Sequence, residues 1–198
     1  MEFLSALFTA AFDNNIVFAQ LVGMVAVFLM AFRPQDALRF GALLWAAVTV
    51  SGLIGWPIYA GFLAPWGAGY LAPIAFVLVS TVAIFTVGAL WSVGKPACGR
   101  EHVFVTCTLL SVNAAVLAVP MGNAAVAETT SFAAALGTAV GAGFGAFVAV
   151  VVFATLSQRI SMRMVPEALR GLPISLVTAS LVCLAFSCVA GIAGGLFV

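Results

Sequence analysis

The fold class this sequence predicts is an all-α membrane protein. It has six transmembrane helices, arranged as two inverted three-helix repeats with both termini outside. Three observations predict it: charge is nearly absent, six apolar stretches alternate with polar interruptions, and the basic residues fall in alternate loops. Of 198 residues, 65% are hydrophobic and 7% are charged, and the mean hydropathy is +1.26. A soluble domain carries about 25% charged residues, so most of this surface must face a lipid bilayer. The net charge of +1 comes from thinly spread basic residues and gives no footing for a nucleic-acid partner.

The apolar stretches run over 3–32, 40–60, 72–94, 103–121, 132–156 and 172–196. A straight helix crosses the hydrocarbon in about 20 residues, and five of the stretches fit that length with ordinary tilt. The first is too long and contains Asp13-Asn14-Asn15, which predicts a break or sharp kink there. Met1-Glu2 offers no positive n-region, and this run continues too far for a secretory signal, so it reads as a span. Pro73, Pro120 and Pro173 mark helix starts or a bend.

Arg33 and Arg39 lie between spans 1 and 2, Lys95 and Arg100 between 3 and 4, and Arg159, Arg163 and Arg170 between 5 and 6. The opposite loops, 61–71 and 122–131, carry Glu128 as their only charge. The positive-inside rule then makes the basic loops cytoplasmic and both termini external, as expected of a multi-pass protein of the cell (inner) membrane. Trp56 and Trp66 at outer ends and Trp91 at an inner end suit the interfacial aromatic belt.

Offset by about half its length, the chain resembles itself. Residues 41–50 and 141–150 share Gly, two Ala and two Val; 73–80 and 173–180 share Pro, Ile, Val and Ser. At an offset of 99, residues 14–23 and 113–122 share Asn, Val, Ala and Gly. The repeats are 1–98 and 99–198, within one membrane domain. Three spans per repeat is an odd number, so the second copy enters the membrane inverted, and the functional centre is expected between the halves on discontinuous helices.

The matched Asn14 and Asn113 each follow about ten apolar residues, which at 1.5 Å each reaches the middle of the bilayer. An amide at that depth satisfies loosened backbone or lines a wet cavity; alternatively it bonds a neighbouring helix as packing glue. Asn14, Asn15, Asn113 and Asp13 are the candidates for an ion or solute path. Asp13 is the only acid embedded in a span, and such acids mark ion paths unless they cap a helix or reach the interface. Gly137, Gly141 and Gly145 form a G-x-x-x-G-x-x-x-G face suited to a tight helical partner, not a phosphate loop. His102, beside Arg100 and Glu101, reads as interfacial. The cysteines (Cys98, Cys107, Cys183, Cys188) have no metal-type spacing, and no catalytic residues stand out.

Asn14-Asn15-Ile16-Val17-Phe18 with Gly23, Asn113-Ala114-Ala115-Val116-Leu117, and Val165-Pro166 with Arg170-Gly171 resemble the RnfA/NqrE family over essentially the whole chain. The resemblance implies a non-catalytic membrane subunit of the Rnf or Na⁺-pumping NADH:quinone oxidoreductase complexes, which couple electron flow to Na⁺ or H⁺ movement. It also implies a homologous, oppositely oriented partner of RnfE/NqrD type. In the family, a cysteine two residues after the first motif's Gly and another directly after the second motif's Asn supply half the ligands of an intramembrane [2Fe–2S] cluster. Here those positions are Val25 and Ala114. Neither side chain can ligate iron, which needs thiolate or imidazole donors, so no cofactor is expected on this chain. The expected function is an ion-path subunit of an Rnf/Nqr-like electron-transport complex without its own cluster ligands. The alternatives are a small inverted-repeat transporter or channel without a redox role, and a purely structural scaffold.

Overall fold

The computed structural model describes residues 2–31, 36–94, 96–160 and 165–188, which are mainly helical and contain no strand. Helix α1 (Glu2–Phe8) runs into a π-helical turn, Thr9–Asp13, and the chain then leaves helical geometry until α2 (Met24–Ala31). Next come α3 (Ala37–Ile58), extended by a π-helical turn at Tyr59–Leu63, and α4 (Ala72–Ser92), entered through a 3₁₀ turn at Gly69–Leu71. Helices α5 (Ala97–Ser111) and α6 (Ala114–Ala125) form a second interrupted pair, followed by α7 (Phe132–Arg159) and α8 (Leu172–Ser187).

Three helical stretches, Ala37–Leu63, Gly69–Ser92 and Phe132–Arg159, are long and apolar enough to cross a membrane. The pair Gly99–Ser111 and Ala114–Ala125, bent by 47°, makes a fourth candidate. The chain is therefore a multi-pass membrane protein. Expected span 4 (103–121) is not one straight rod, because Asn113 ends one helix and caps the next. The first stretch is interrupted over ten residues rather than kinked at a point. Arg33, Lys95, Arg163 and the end of span 6 lie outside the described residues.

Helix α7 is the centre of the packing, and its small residues explain why. In a bilayer, helices associate by close van der Waals contact rather than by a hydrophobic drive. Ala135, Ala139, Ala142, Ala146 and Ala149 are buried along it. Its three spaced glycines lie against the backbone of α1 and the π turn that continues it: Gly137 at Phe3, Gly141 at Leu7 and Gly145 at Ala11. Both residue numbers rise together, so α1 and α7 run parallel. The glycine face is thus filled from within the chain, not by a separate subunit.

Helix α3 crosses α7 the other way, with Gly41 on Phe147, Gly143 on Trp45 and Gly52 on Ala139. The Trp45 indole N–H donates to the Val140 carbonyl at 3.2 Å. Helix α6 lies parallel to α3, with Ser51 at Val116 and Gly55 against Pro120. Pro120 lacks the N–H that would bond the Val116 carbonyl in an unbroken helix. The buried Ser51 hydroxyl supplies that bond at 3.0 Å, shared with the Val48 carbonyl at 3.1 Å. Pro73 and Pro173 sit in the first turns of α4 and α8, where a missing N–H is harmless.

Candidate site at the two helix breaks

The first break is organised by Asn15, which is 1% exposed. Its Nδ2 donates to the Ala11 carbonyl at 3.0 Å. Its Oδ1 accepts from the N–H groups of Val17 at 2.9 Å and Phe18 at 3.2 Å. One amide thereby serves backbone groups that an ended helix leaves open. Asn14 is exposed, and its Oδ1 accepts from the Gln20 amide at 3.0 Å. Leu21 lies at φ +57° and Gly23 at φ +79°. Left-handed backbone at a non-glycine residue is strained by about 1–2 kcal/mol, so the surrounding packing holds this loop in place.

The second break is shorter. Asn113 is the N-cap of α6, and its Oδ1 accepts from the Ala115 N–H at 3.0 Å. The same i→i+2 bond is made by Asn15, so by role the counterpart of Asn113 is Asn15 rather than the sequence-matched Asn14. Asn113 is buried, and its Nδ2 has no hydrogen-bond partner among the described residues.

The two breaks touch. A Cβ on Gly23 would stand 2.7 Å from Asn113 Oδ1 and 2.9 Å from Ala115 Cβ. Only glycine allows that approach in that backbone conformation. Gly145, last of the α7 stripe, makes room for Asn15: a Cβ there would lie 2.7 Å from Asn15 Nδ2. Asp13 closes the π turn and borders a void of about 30 Å³ with Asn15, Phe18, Cys183 and Ser187. That is room for about one water. Sequence reasoning missed Gln20, Ser51 and the Gly23 contact. Ser51 faces Pro120 only once the helices are packed, so the sequence carried no signal for it.

The junction opens on the surface of the chain. Val25 and Val112 are 74% and 85% exposed, and Ala114 is exposed as well. The residues here do not fit an iron–sulfur cluster, because Val25 and Ala114 present no donor atoms. Cys107 is buried against Gly88, with its thiol toward the Ile84 carbonyl. Cys183 lines the Asp13 void, and Cys188 is exposed on the turn after α8. Cys98 belongs to the first turn of α5.

A family model described as "Rnf-Nqr subunit, membrane protein" matches residues 3–193. The chain belongs to the Rnf-Nqr family. Among curated relatives of this Rnf-Nqr chain is the A subunit of the Na⁺-translocating ferredoxin:NAD⁺ oxidoreductase complex of Acetobacterium woodii. It is 28% identical over 94% of this chain and 95% of its own. The A subunit of the ion-translocating oxidoreductase complex of Syntrophotalea carbinolica is 31% identical over 94% of this chain and 95% of its own. The A subunit of the proton-translocating ferredoxin:NAD⁺ oxidoreductase complex of Clostridium ljungdahlii is 26% identical over 93% and 94% respectively. The resemblance carried by the two asparagine motifs and the Val165-Pro166 segment is thereby borne out.

Proposed function

We propose that this chain is the A-type membrane component of an ion-translocating, electron-transporting complex, and that its two helix breaks form the centre of the ion path. The observation that carries this reading is the contact between the breaks at Gly23 and Asn113. Two interrupted helices meeting beside a buried polar side chain is the kind of arrangement by which membrane transporters handle ions near the midplane. Asp13, Asn14, Asn15 and Asn113 are the path residues, and Na⁺ or H⁺ is the ion. Relatives named for either ion align over nearly the whole chain.

The order "interrupted helix, long helix, helix" occurs twice, which supports inverted repeats at 1–98 and 99–198. Helix α3 and its counterpart α7 run antiparallel. Helix α1 runs with α7 while α6 runs with α3, so the interrupted pairs are also opposed. Glu2 accepts from Ser131 Oγ at 2.6 Å, joining the start of α1 to the start of α7. Asp36 and His102, 3.9 Å apart, join the opposite end. Arg39 and Arg100 belong to that second end, which is the cytoplasmic one in this reading, with six crossings of the inner membrane. The exposed junction at Val25, Val112 and Ala114 is the face for a homologous RnfE/NqrD-like partner. No electron-transfer step is assigned to residues of this chain.

A transporter without a redox role is the second reading, favoured by the apolar Val25 and Ala114 at the junction. The test uses the assembly purified from membranes and reconstituted in vesicles. Replacing Cys98, Cys107, Cys183 and Cys188 together with Ala should leave its iron content unchanged. Asn113→Leu should slow ion uptake severalfold, also without changing iron. Loss of stoichiometric iron from the cysteine-free assembly would show that a displaced thiol ligates after all. An assembly that moves ions but contains no iron and no redox partner favours the second reading.

A further inference from the structure

At the end joined by Asp36 and His102, residues of α3 and α5 line a half-open groove of about 830 Å³. That volume lies within the range of about 300–1,000 Å³ typical of small-molecule sites. Its floor is apolar, formed by the buried Phe40, Leu43 and Val103. It extends along α5 to Leu109, one turn short of the second break. Its rim carries Asp36, Arg39, Glu101 and His102. A polar mouth above an apolar channel, in a protein immersed in lipid, matches a molecule with a charged head and a hydrocarbon tail.

The rim charges select the head. Among the described lining residues, two carboxylates stand beside one guanidinium and one imidazole, which favours a head that carries both signs over a purely anionic one. A zwitterion with a primary amine satisfies both signs. Its phosphate fits Arg39, whose planar fork suits phosphate oxygens, on the same rim as His102. Its ammonium has three N–H donors for the Asp36 and Glu101 carboxylates. A quaternary ammonium has no such donors. We propose that this groove is a binding site for a phosphatidylethanolamine-type lipid, whose head seats on Asp36, Arg39, Glu101 and His102 and whose acyl chain lies over Phe40 and Leu43 toward Leu109. Neither the ion path nor the missing cluster ligands enter into this site.

The test is native mass spectrometry of the protein, or of the complex it purifies with, extracted gently from a membrane containing phosphatidylethanolamine and phosphatidylglycerol. The wild type should retain about one phosphatidylethanolamine per chain, enriched severalfold over its share of the bulk membrane. Asp36→Asn with Glu101→Gln removes both negative charges, so retention should fall about fivefold, the upper end for exposed charge pairs. The lipid that remains should shift toward phosphatidylglycerol. Arg39→Gln should lower retention of both lipids without reversing the preference. As a check free of any folding defect, brominated phosphatidylethanolamine should quench the groove's Trp91 in wild-type protein more strongly than brominated phosphatidylcholine or phosphatidylglycerol. Trp91→Phe should abolish the difference. Equal quenching by all three lipids overturns the proposal, as does wild-type enrichment of phosphatidylglycerol. So does a polypeptide that cross-links through Leu109 in place of lipid.

Discussion

Gly141→Ala is the sharpest probe of the packing. The added Cβ would fall among the backbone atoms of Leu7, which cannot swing aside as a side-chain tip can. Restoring ordinary contact means pushing α1 away from α7 along a face that repeats at Gly137 and Gly145. Overpacking of this kind costs about 1–3 kcal/mol. Gly137→Ala and Gly145→Ala should cost similar amounts. Any two together should cost less than their sum, because one displacement of α1 relieves both. Gly122→Ala is the control: it lies in α6 with nothing within 4 Å of the added carbon. It gains up to about 1 kcal/mol of helix propensity. The assay is reversible unfolding of the purified protein in mixed micelles by sodium dodecyl sulfate, followed by helicity and tryptophan fluorescence. If Gly141→Ala is as stable as Gly122→Ala, then α1 does not lie against α7. The parallel pairing and the positioning of Asn15 by Gly145 would fall with it.

Two further outcomes are expected. Ser51→Ala leaves the Val116 carbonyl buried without a donor and should cost about 1–3 kcal/mol in the same unfolding assay. In a Pro120→Ala background, which restores the helical N–H, that cost should drop below about 0.5 kcal/mol; an unchanged cost would detach Ser51 from the proline. Cysteines introduced as Trp66→Cys and Glu128→Cys, in a cysteine-free background, should react with an impermeant thiol reagent from outside intact cells. Arg100→Cys should not, and the reverse pattern would overturn the orientation read from the basic loops.

The position of the first break was legible in the sequence, and Asn113 marked the place of the second, because an amide deep in an apolar run is costly unless it is bonded, as it is where it serves backbone that has left the helix. That span 4 divides into two helices there was not legible. Nor was the width of the first break. Ile16, Val17 and Phe18 are buried in the core and read like helix, while the N–H groups of Val17 and Phe18 bond the Asn15 side chain instead of the preceding turn. Asn14 and Asn15 are alike in composition and depth, and only geometry separates the exposed one from the buried one. The glycine stripe was legible as a close-packing face. Its occupant was not, since spacing alone cannot distinguish a helix far earlier in the same chain from one on another chain.

The uninterrupted helix gives the interrupted ones their geometry. Helix α7 holds α1 through its glycines, leaves space for Asn15 at Gly145, and reaches α2 through the edge-on contact of Phe28 with Phe153, whose ring centroids are 5.5 Å apart. At its other end the Ala135 carbonyl accepts from Asn123 of α6 at 3.0 Å. Both interrupted pairs are thus referenced to one uninterrupted element. Broken helices expose backbone groups that are costly in hydrocarbon, and they persist only where the surroundings fix them. Asn15 directs both its Nδ2 and its Oδ1 to backbone, whereas the Asn113 Nδ2 is left unpartnered among the described residues. The first break is therefore complete as a structural joint, and the second retains an unused donor beside Gly23. That asymmetry makes Asn113, rather than Asn15, the residue whose replacement should affect ion movement more than stability.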